Sequence, residues 1–228
     1  MSARSEHARG NGTARTTSFV VALVSALIVL PTAALADRDS EYWSQVRVTG
    51  AVNEAVAFTS TVALRHDEDV SRHYYTRMES GVSWSALKYV TAGAEYAHLN
   101  TGSSDRWALE CRPSVSLTLK WSPGALSLSD RSRLERRIKE KASSTRYRNR
   151  LTLKGPKLTP LGLRPYAEGE IFYDLTSERL EKRRVSGGVA VELWRPIGVS
   201  VYYTLEGRRP RSEWTDVDVF GTTLTYSF

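Results

Sequence analysis

Residues 106–120 read RWALECRPSVSLTLK, and large apolar and polar residues alternate along the stretch. Charged residues, serines and threonines fill most even-numbered positions, and the odd-numbered ones carry Trp107, Leu109, Cys111, Pro113, Val115, Leu117 and Leu119. A period of two puts these sets on opposite faces of an extended strand. Strands of soluble proteins usually have about 5–6 residues. The stretch therefore predicts an unusually long β-strand with one apolar face and one polar face.

The same alternation recurs along the chain. Eleven segments are apparent, at 41–50, 54–66, 73–84, 88–99, 105–120, 125–137, 145–155, 163–175, 182–194, 197–207 and 214–228. Short turns such as SPG (122–124) alternate with longer polar gaps such as NTGSSD (100–105). This pattern predicts an all-β fold, a closed antiparallel up-and-down β-barrel of about 10–12 strands.

Three features favour an outer-membrane barrel, porin-like in plan, from a Gram-negative bacterium. The segments reach the ~9–11 residues that a tilted strand needs to cross a bilayer. Short turns and longer loops alternate, as at the two ends of such barrels. Aromatic residues recur near segment ends, as in an interfacial girdle, at Tyr42, Tyr74, Trp84, Trp107, Trp121, Trp194 and Trp214.

The N-terminal residues have the pattern of a secretory signal peptide. Three arginines precede residues 19–30, FVVALVSALIVL, which carry no charge. Ala34-Leu35-Ala36 then matches an A-x-A cleavage site. The apolar run is shorter than the ~20 residues of a membrane-spanning helix. We expect cleavage after Ala36, which leaves residues 37–228 as one transmembrane barrel domain.

The C-terminal stretch TTLTYSF (222–228) alternates in the same way. Leu224, Tyr226 and Phe228 share one face of the predicted last strand, and Gly221 interrupts the other face. A glycine, an apolar residue, an aromatic residue and a terminal Phe resemble the signal that the barrel-assembly machinery reads. We therefore expect that machinery to be a partner and the last strand to close the wall.

The count of eleven segments conflicts with this plan. A barrel with both chain ends on the inner side of the membrane has an even number of strands. Three explanations stay open: a strand was missed, segment 41–50 lies partly outside the wall, or the N-terminus crosses the lumen.

The predicted inner face is highly charged. Its expected charge ladder consists of Arg131, Arg133, Glu135, Arg146, Arg148, Arg150, Glu168 and Glu170. Folding the hairpins about their loop centres predicts two rows, Glu135–Arg148–Glu170 and Arg133–Arg150–Glu168. Opposite charges on adjacent strands stabilise a sheet. The ladder is either a structural filling of a narrow barrel or a basic lining that selects anions.

A resemblance rests on residues 147–174, YRNRLTLKGPKLTPLGLRPYAEGEIFYD, with SDRSRLERR (129–137) before them and FGTTLTYSF (220–228) at the end. These stretches resemble an uncharacterised bacterial family, domain of unknown function 2490. The resemblance covers most of residues 40–228 and is best from Arg146 to Asp174. It implies an outer-membrane barrel and no particular activity or ligand.

Other residues with potential chemistry fit a barrel without a catalytic or metal site. His66 and His73 flank an acidic loop but lack metal-ligand spacing, and no nucleophile is placed beside a base. We expect no cofactor. Cys111 falls on the apolar face. The chain has a net charge of +7 and a pI near 9.6, but its arginines alternate with carboxylates along an exported wall, which argues against nucleic acid.

Three functions follow, in order of preference. The first is a narrow passive channel with an Arg/Glu-lined lumen that favours small anionic solutes. The second is a closed structural or surface-interaction barrel in which the ladder plugs the lumen. The third is a lipid-modifying enzyme, although we expect no enzyme activity. Outer-membrane lipid is an expected partner, and lipopolysaccharide phosphates would meet the predicted rim residues Lys139, Lys141, Arg208, Arg209 and Arg211.

Overall fold

A computed structural model describes residues 40–68, 70–103, 106–158, 162–194, 196–210 and 213–228. The predicted signal peptide (1–36) and the rim residue Arg211 lie outside these described residues. Eleven strands form: β1 (Ser40–Ala51), β2 (Val56–Asp67), β3 (Arg72–Leu87), β4 (Val90–Ser103), β5 (Arg106–Trp121), β6 (Ser127–Lys139), β7 (Ser143–Lys154), β8 (Arg164–Asp174), β9 (Arg179–Trp194), β10 (Ile197–Arg208) and β11 (Thr215–Ser227). In the described part of the chain no helix has the length and apolarity to cross a membrane.

The strands form one closed barrel in which each strand pairs with its neighbours in sequence and β1 closes on β11. Consecutive strands are antiparallel, whereas β1 and β11 are parallel, from Ser40↔Asp218 to Thr49↔Ser227. The predicted all-β closed barrel is confirmed. A parallel seam is what an odd strand count requires, because antiparallel pairing alternates direction at every step. Segment 41–50 therefore lies within the wall, and the count of eleven stands.

The two ends of the barrel are distinguished by chain position. We call the end where β1 and β11 begin the Ser40 end, and the opposite end, where β11 finishes, the Phe228 end. Connections at the Ser40 end span 68–71, 104–105, 140–142, 175–178 and 209–214. Those at the Phe228 end span 52–55, 88–89, 122–126, 155–163 and 195–196.

The predicted alternation of short turns with longer loops is therefore wrong. Connections span 2–6 residues at the Ser40 end and 2–9 at the Phe228 end, so neither end has distinctly shorter turns. The longest connection, 155–163, falls in the stretch KGPKLTPLG, which the sequence already shows to be longer than the other expected short turns. The strands continue into the polar gaps, so that β4 includes the first four residues of NTGSSD, up to Ser103. Polar residues extend a strand as readily as apolar ones here, because the ladder uses backbone groups alone.

The two faces of the wall follow the predicted alternation. Every one of the eleven strands exposes at least one large apolar side chain on its outer face, for example Val46 on β1, Leu117 on β5 and Leu224 on β11. The expected tryptophans Trp84, Trp107, Trp121 and Trp194 are also exposed. Most charged side chains of the strands point inward, whereas Asp130, Ser132 and Asn149 share the outward parity of their strands and hydrogen-bond to one another. The barrel is thus apolar outside and polar inside.

Two β-bulges add side chains to the interior. The β2–β3 register shifts between Arg65 and His66, and the β8–β9 register shifts between Phe172 and Tyr173. The extra residues, Tyr74 and Glu181, turn inward because a bulge places two residues opposite one. Tyr74 Oη donates a 2.6 Å hydrogen bond to Glu41. Its predicted place in an outer aromatic girdle is therefore wrong.

Pro113 interrupts pairing without shifting it. The β5–β6 register passes from Cys111↔Ile138 to Ser114↔Glu135, leaving Arg112 and Pro113 without β6 partners. Proline has no N–H to give to the ladder. The sequence predicts that Pro113 lacks a ladder hydrogen bond, and the structure agrees. The Cys111 side chain lies on the outer face as predicted, with Sγ 3.9 Å from His98 Nδ1.

Candidate functional site

The barrel interior contains an ionic network, which we define as the ion pairs centred on Glu41, Glu79, Glu95, Glu110, Glu135, Glu170 and Glu206. These glutamates come from β1, β3, β4, β5, β6, β8 and β10. Each reaches the interior because the inner face takes every second residue of its strand. The network therefore joins strands around most of the circumference.

Glu135 is one of the two most enclosed members, with 0% of its surface exposed. Its carboxylate lies 2.5 Å from Arg146, 3.5 Å from Arg148, 3.5 Å from Arg133 and 3.8 Å from Arg112. One negative charge is thus shared by four guanidinium groups on three strands. Buried charges are tolerated only when paired and hydrogen-bonded. Glu135 is therefore the counter-charge that allows these four arginines to be packed together.

Glu170 has a similar role on β8. Its carboxylate lies 2.6 Å from Arg148 Nε, 2.9 Å from Arg150 Nε and 3.0 Å from Arg184 Nη1. Arg148 therefore bridges Glu135 and Glu170, since it contacts both. Charge-assisted hydrogen bonds of this kind are stronger than neutral ones. They tie β6, β7, β8 and β9 together across the inner face.

Glu206 extends the network to β10. It is 0% exposed and pairs with Arg184, with Lys182 at 2.9 Å and with Arg208 at 2.5 Å. Arg208 also lies 2.7 Å from Glu41 on β1. Arg208 therefore spans the parallel seam from inside, bridging two carboxylates. The expectation that it meets lipopolysaccharide phosphates is wrong, because its guanidinium is turned inward.

Glu79 and Glu95 bring β3 and β4 into the network. Arg133 Nη1 donates to Glu79 at 2.9 Å, and its Nη2 lies 3.5 Å from Glu95. Arg77 also pairs with Glu79, and Arg131 pairs with Glu95. Arg133 itself is 3% exposed. The arginines of β6 therefore reach across the lumen as well as along the wall.

Aromatic rings fill the space between these charges. Phe172 points inward from β8 and is buried. The guanidinium carbons of Arg146, Arg148 and Arg184 lie 5.0, 5.0 and 4.7 Å from its ring centroid. Cations at such distances interact favourably with an aromatic face. The ring therefore contacts the faces of the guanidinium groups, while their nitrogens pair with carboxylates.

A small apolar cluster lies beside the seam. Trp43, Val217 and Val219 are buried together, with Tyr202 packed against them. The guanidinium of Arg65 stacks 3.7 Å from a Trp43 ring centroid. Together with the ionic network, this cluster fills the interior toward the Ser40 end.

Seven of the eight predicted ladder residues form ion pairs in this network, and the eighth, Glu168, accepts a 3.0 Å hydrogen bond from Thr152. The predicted rows are displaced by two residues, because Glu135 is opposite Arg146 and Glu170 is opposite Arg150. The β6–β7 connection is only 140–142, shorter than the predicted loop. The error is even, so each residue keeps its predicted face.

Much of the network was missed by the sequence analysis. The missed acidic residues on other strands are Glu41, Glu79, Glu95, Glu110 and Glu206, and the missed basic residues include Arg77, Arg112, Arg137, Lys182 and Arg184. The polar parity of each strand would have identified most of them. Glu181 was beyond that signal, because a bulge turns it inward.

The predicted assembly signal lies on β11 at the Phe228 end. Leu224, Tyr226 and Phe228 are exposed on the outer face. Gly221 lies on the inner face, where a Cβ atom would overlap the ring of Tyr202 on β10. Gly221 is therefore required for close packing inside the barrel, whatever its role in assembly.

The predicted loop histidines lie on the outer face near the Ser40 end. The rings of His66 and His73 are 5.2 Å apart, and His73 is 5.4 Å from Trp107. Within the described residues, no group of three or more His, Cys, Asp or Glu side chains is placed to hold a metal ion. The arrangement is an aromatic contact.

A cavity of about 1250 Å³ occupies the part of the interior toward the Phe228 end. Its walls carry twelve Arg or Lys residues and five Glu residues. They include Glu79, Arg133 and Glu170, the innermost pairs of the ionic network, and reach Lys154 and Phe228 near the rim. The network thus closes one end of a strongly basic cavity.

This fold and this interior define a class of protein: a single-chain closed β-barrel with an ion-paired core. The family described as "Protein of unknown function (DUF2490)" matches residues 40–214. The chain belongs to that family, and the resemblance identified from the sequence is confirmed. No curated protein matches the chain.

Proposed function

We propose that this protein is an outer-membrane barrel that is closed at its Ser40 end and presents a basic cavity at its Phe228 end. The outer face supports the membrane location. Large apolar side chains are exposed on all eleven strands, whereas soluble monomers rarely expose contiguous apolar patches above a few hundred Å². Closure of the wall also satisfies the backbone groups that an open edge would leave unpaired in lipid.

The observation that carries the closure is the burial of charge near the Ser40 end. Glu135 and Glu206 are each 0% exposed, and Phe172 is 3% exposed. A water-filled passage beside these side chains would hydrate them. An eight-stranded barrel is just filled by side chains and larger barrels hold a ligand or a channel. Eleven strands here enclose both a filled part and a cavity.

The C-terminal signal gives an orientation. If Phe228 engages the barrel-assembly machinery, the Phe228 end faces the periplasm. The cavity then opens to the periplasm, and the ionic network faces the cell exterior. Lys139 and Lys141 at the Ser40 end would lie near lipopolysaccharide phosphates, since both are exposed. The barrel would act as a periplasmic binding compartment sealed from the outside.

A second candidate is the narrow, anion-favouring channel. The observation in its favour is the cavity, whose walls reach Trp43 and Arg65 within the Ser40 half. Movement of the residues above it would complete a basic pore. Charged rings of this kind select ions in known channels.

Ion conductance across a planar bilayer separates the two candidates. We expect the purified protein to give no steady current steps. The triple variant Arg112→Ser, Glu135→Ser and Arg146→Ser is expected to conduct. It replaces three large side chains that fill the interior with small ones, and it removes arginines together with the carboxylate that they share. Arg133 and Arg148 keep Glu79 and Glu170 as partners, and Glu110 keeps Arg137. The variant therefore avoids the large cost of leaving a buried charge unpaired.

Heat-modifiable migration in gels would establish that both proteins are folded before current is recorded. Steady, anion-selective steps from the unmodified protein would reject closure and select the channel. Silence from a folded triple variant would show that the network is not what seals the barrel.

A further inference from the structure

We propose that the cavity binds a soluble small molecule with two or more carboxylate or phosphate groups, anchored by Arg47 and Arg164. The proposed function enters this inference at one point only, because the orientation of the barrel decides which compartment supplies the ligand. The cavity itself, its charge and its side chains are features of the fold.

The charge balance of the cavity is the first argument. Four of its five glutamates are already paired with basic residues: Glu79, Glu95, Glu170 and Glu192. Twelve basic residues line the same space, and seven of them form these ion pairs. Among the described residues, five basic side chains of the lining are left without an ion pair: Arg47, Arg65, Lys120, Lys154 and Arg164. Positive charge in a partly enclosed, low-dielectric space is costly unless an anion compensates it. An anionic ligand would supply the missing negative charge.

Arg47 is the clearest example of a cavity arginine whose charge is not neutralised by an ion pair. It extends inward from β1, and it interacts electrostatically with Arg150 and Glu168 on the facing strands β7 and β8. Within the described part of the chain its side chain makes no hydrogen bond or ion pair. Glu168 and Glu79 attract its charge from a distance, but no carboxylate in the described ranges accepts its N–H groups, so its donors are available. Such a fork matches the two oxygens of a carboxylate or phosphate.

Arg164 offers a second unsatisfied group. It begins β8 and lines the cavity, and its Nε is buried without a hydrogen-bond partner. Buried donors without partners are rare and call for an explanation. Tyr166, the next inward residue of β8, interacts electrostatically with Arg47. Both arginines line the same cavity, and Tyr166 lies two residues from one of them and interacts with the other.

The size of the cavity sets the class of ligand. Its volume of about 1250 Å³ is far more than one phosphate ion needs, and sites for small organic ligands usually span about 300–1,000 Å³. The exposed Lys120 and Lys154 add charges nearer the rim. Separated cations of this kind suit a molecule with several anionic groups. A phospholipid headgroup shares the chemistry, but its chains would have to leave the cavity.

Calorimetric titration of the detergent-solubilised full chain with inorganic triphosphate tests the proposal. We expect saturable binding that weakens as salt is raised, since salt screens charge interactions. The variant Arg47→Gln/Arg164→Gln should lose at least about tenfold in affinity. Each charge-assisted hydrogen bond that is lost weakens binding by an amount comparable to a tenfold change in the dissociation constant. The variant Arg47→Lys/Arg164→Lys, which keeps the charge, should bind with intermediate affinity.

The matched control is Arg106→Gln/Arg136→Gln, which removes two exposed arginines that do not line the cavity. It should bind like the unmodified protein. An equal loss in this control, or full binding by Arg47→Gln/Arg164→Gln, would overturn the site. Binding of phosphatidylglycerol micelles without triphosphate binding would overturn the soluble source. Because neither anchor forms an ion pair, both variants should fold, and no result here depends on conductance.

Discussion

Replacing Glu135 with Gln is expected to lower the free energy of unfolding by about 3–5 kcal/mol, the usual cost of removing one partner from a buried ion pair. The substitution keeps the shape of the side chain and removes its charge. Arg112, Arg133, Arg146 and Arg148 would then share a buried space without their common carboxylate. Glutamine offers one carbonyl oxygen to four guanidinium groups, so most of the cost cannot be recovered.

Urea unfolding of the detergent-refolded protein, followed by tryptophan fluorescence, measures this effect. Glu192→Gln is the matched control, because Glu192 pairs with the half-exposed Lys157 at 2.6 Å and is itself exposed. Surface pairs contribute about 0–1 kcal/mol. If Glu135→Gln unfolds at the same urea concentration as Glu192→Gln, the charge of Glu135 does not stabilise the barrel more than that of a surface residue.

Replacing Gly221 with Ala is expected to destabilise the barrel by about 1–3 kcal/mol, the range for overpacking. Gly221 is opposite Tyr202 in the β10–β11 ladder, and a Cβ atom would overlap the Tyr202 ring. Tyr202 cannot easily yield, because it packs against Trp43 and Val219. The strain would therefore pass into the seam that closes the barrel.

The control is Gly198→Ala, also an inward position, where the nearest atom to a new Cβ is Val191 O at 3.5 Å. There the lower chain entropy of Ala should leave stability unchanged or raise it by about 0.4–1 kcal/mol. The double variant Gly221→Ala/Tyr202→Leu should recover part of the loss. If Gly221→Ala instead folds to full stability but assembles poorly in cells, the glycine acts through the assembly signal and not through packing.

The wall was predictable because its signal is local. Residues 106–120 alternate so regularly that face and strand length follow directly, and the structure makes them β5 with little change. The same parity argument placed Glu135, Arg148 and Glu170 in the interior without any knowledge of neighbours. A register error of two residues left these assignments intact, since the side-chain period is also two.

What the sequence could not provide is the set of contacts between distant strands. Parity says that Glu206 and Arg184 face inward, but not that they meet. The predicted closure of the wall implies that the last strand meets the first, but not that the two are parallel or which residues pair, such as Ser40 and Asp218, 178 positions apart. The bulges that turn Tyr74 and Glu181 inward break the period itself. The closure of one end and the basic cavity at the other depend on the ion pairs between strands, on the β1–β11 seam and on the bulges.

The parallel seam also limits how this chain could be rearranged. In an even-stranded barrel the chain ends are neighbours at one rim, and a short turn joins them in a circular permutant. Here Ser40 and Phe228 lie at opposite rims, about 40 Å apart for a strand of 12 residues at ~3.3 Å per residue. A linker of a dozen or more extended residues is needed, and the filled Ser40 half would force it over the outside of the wall.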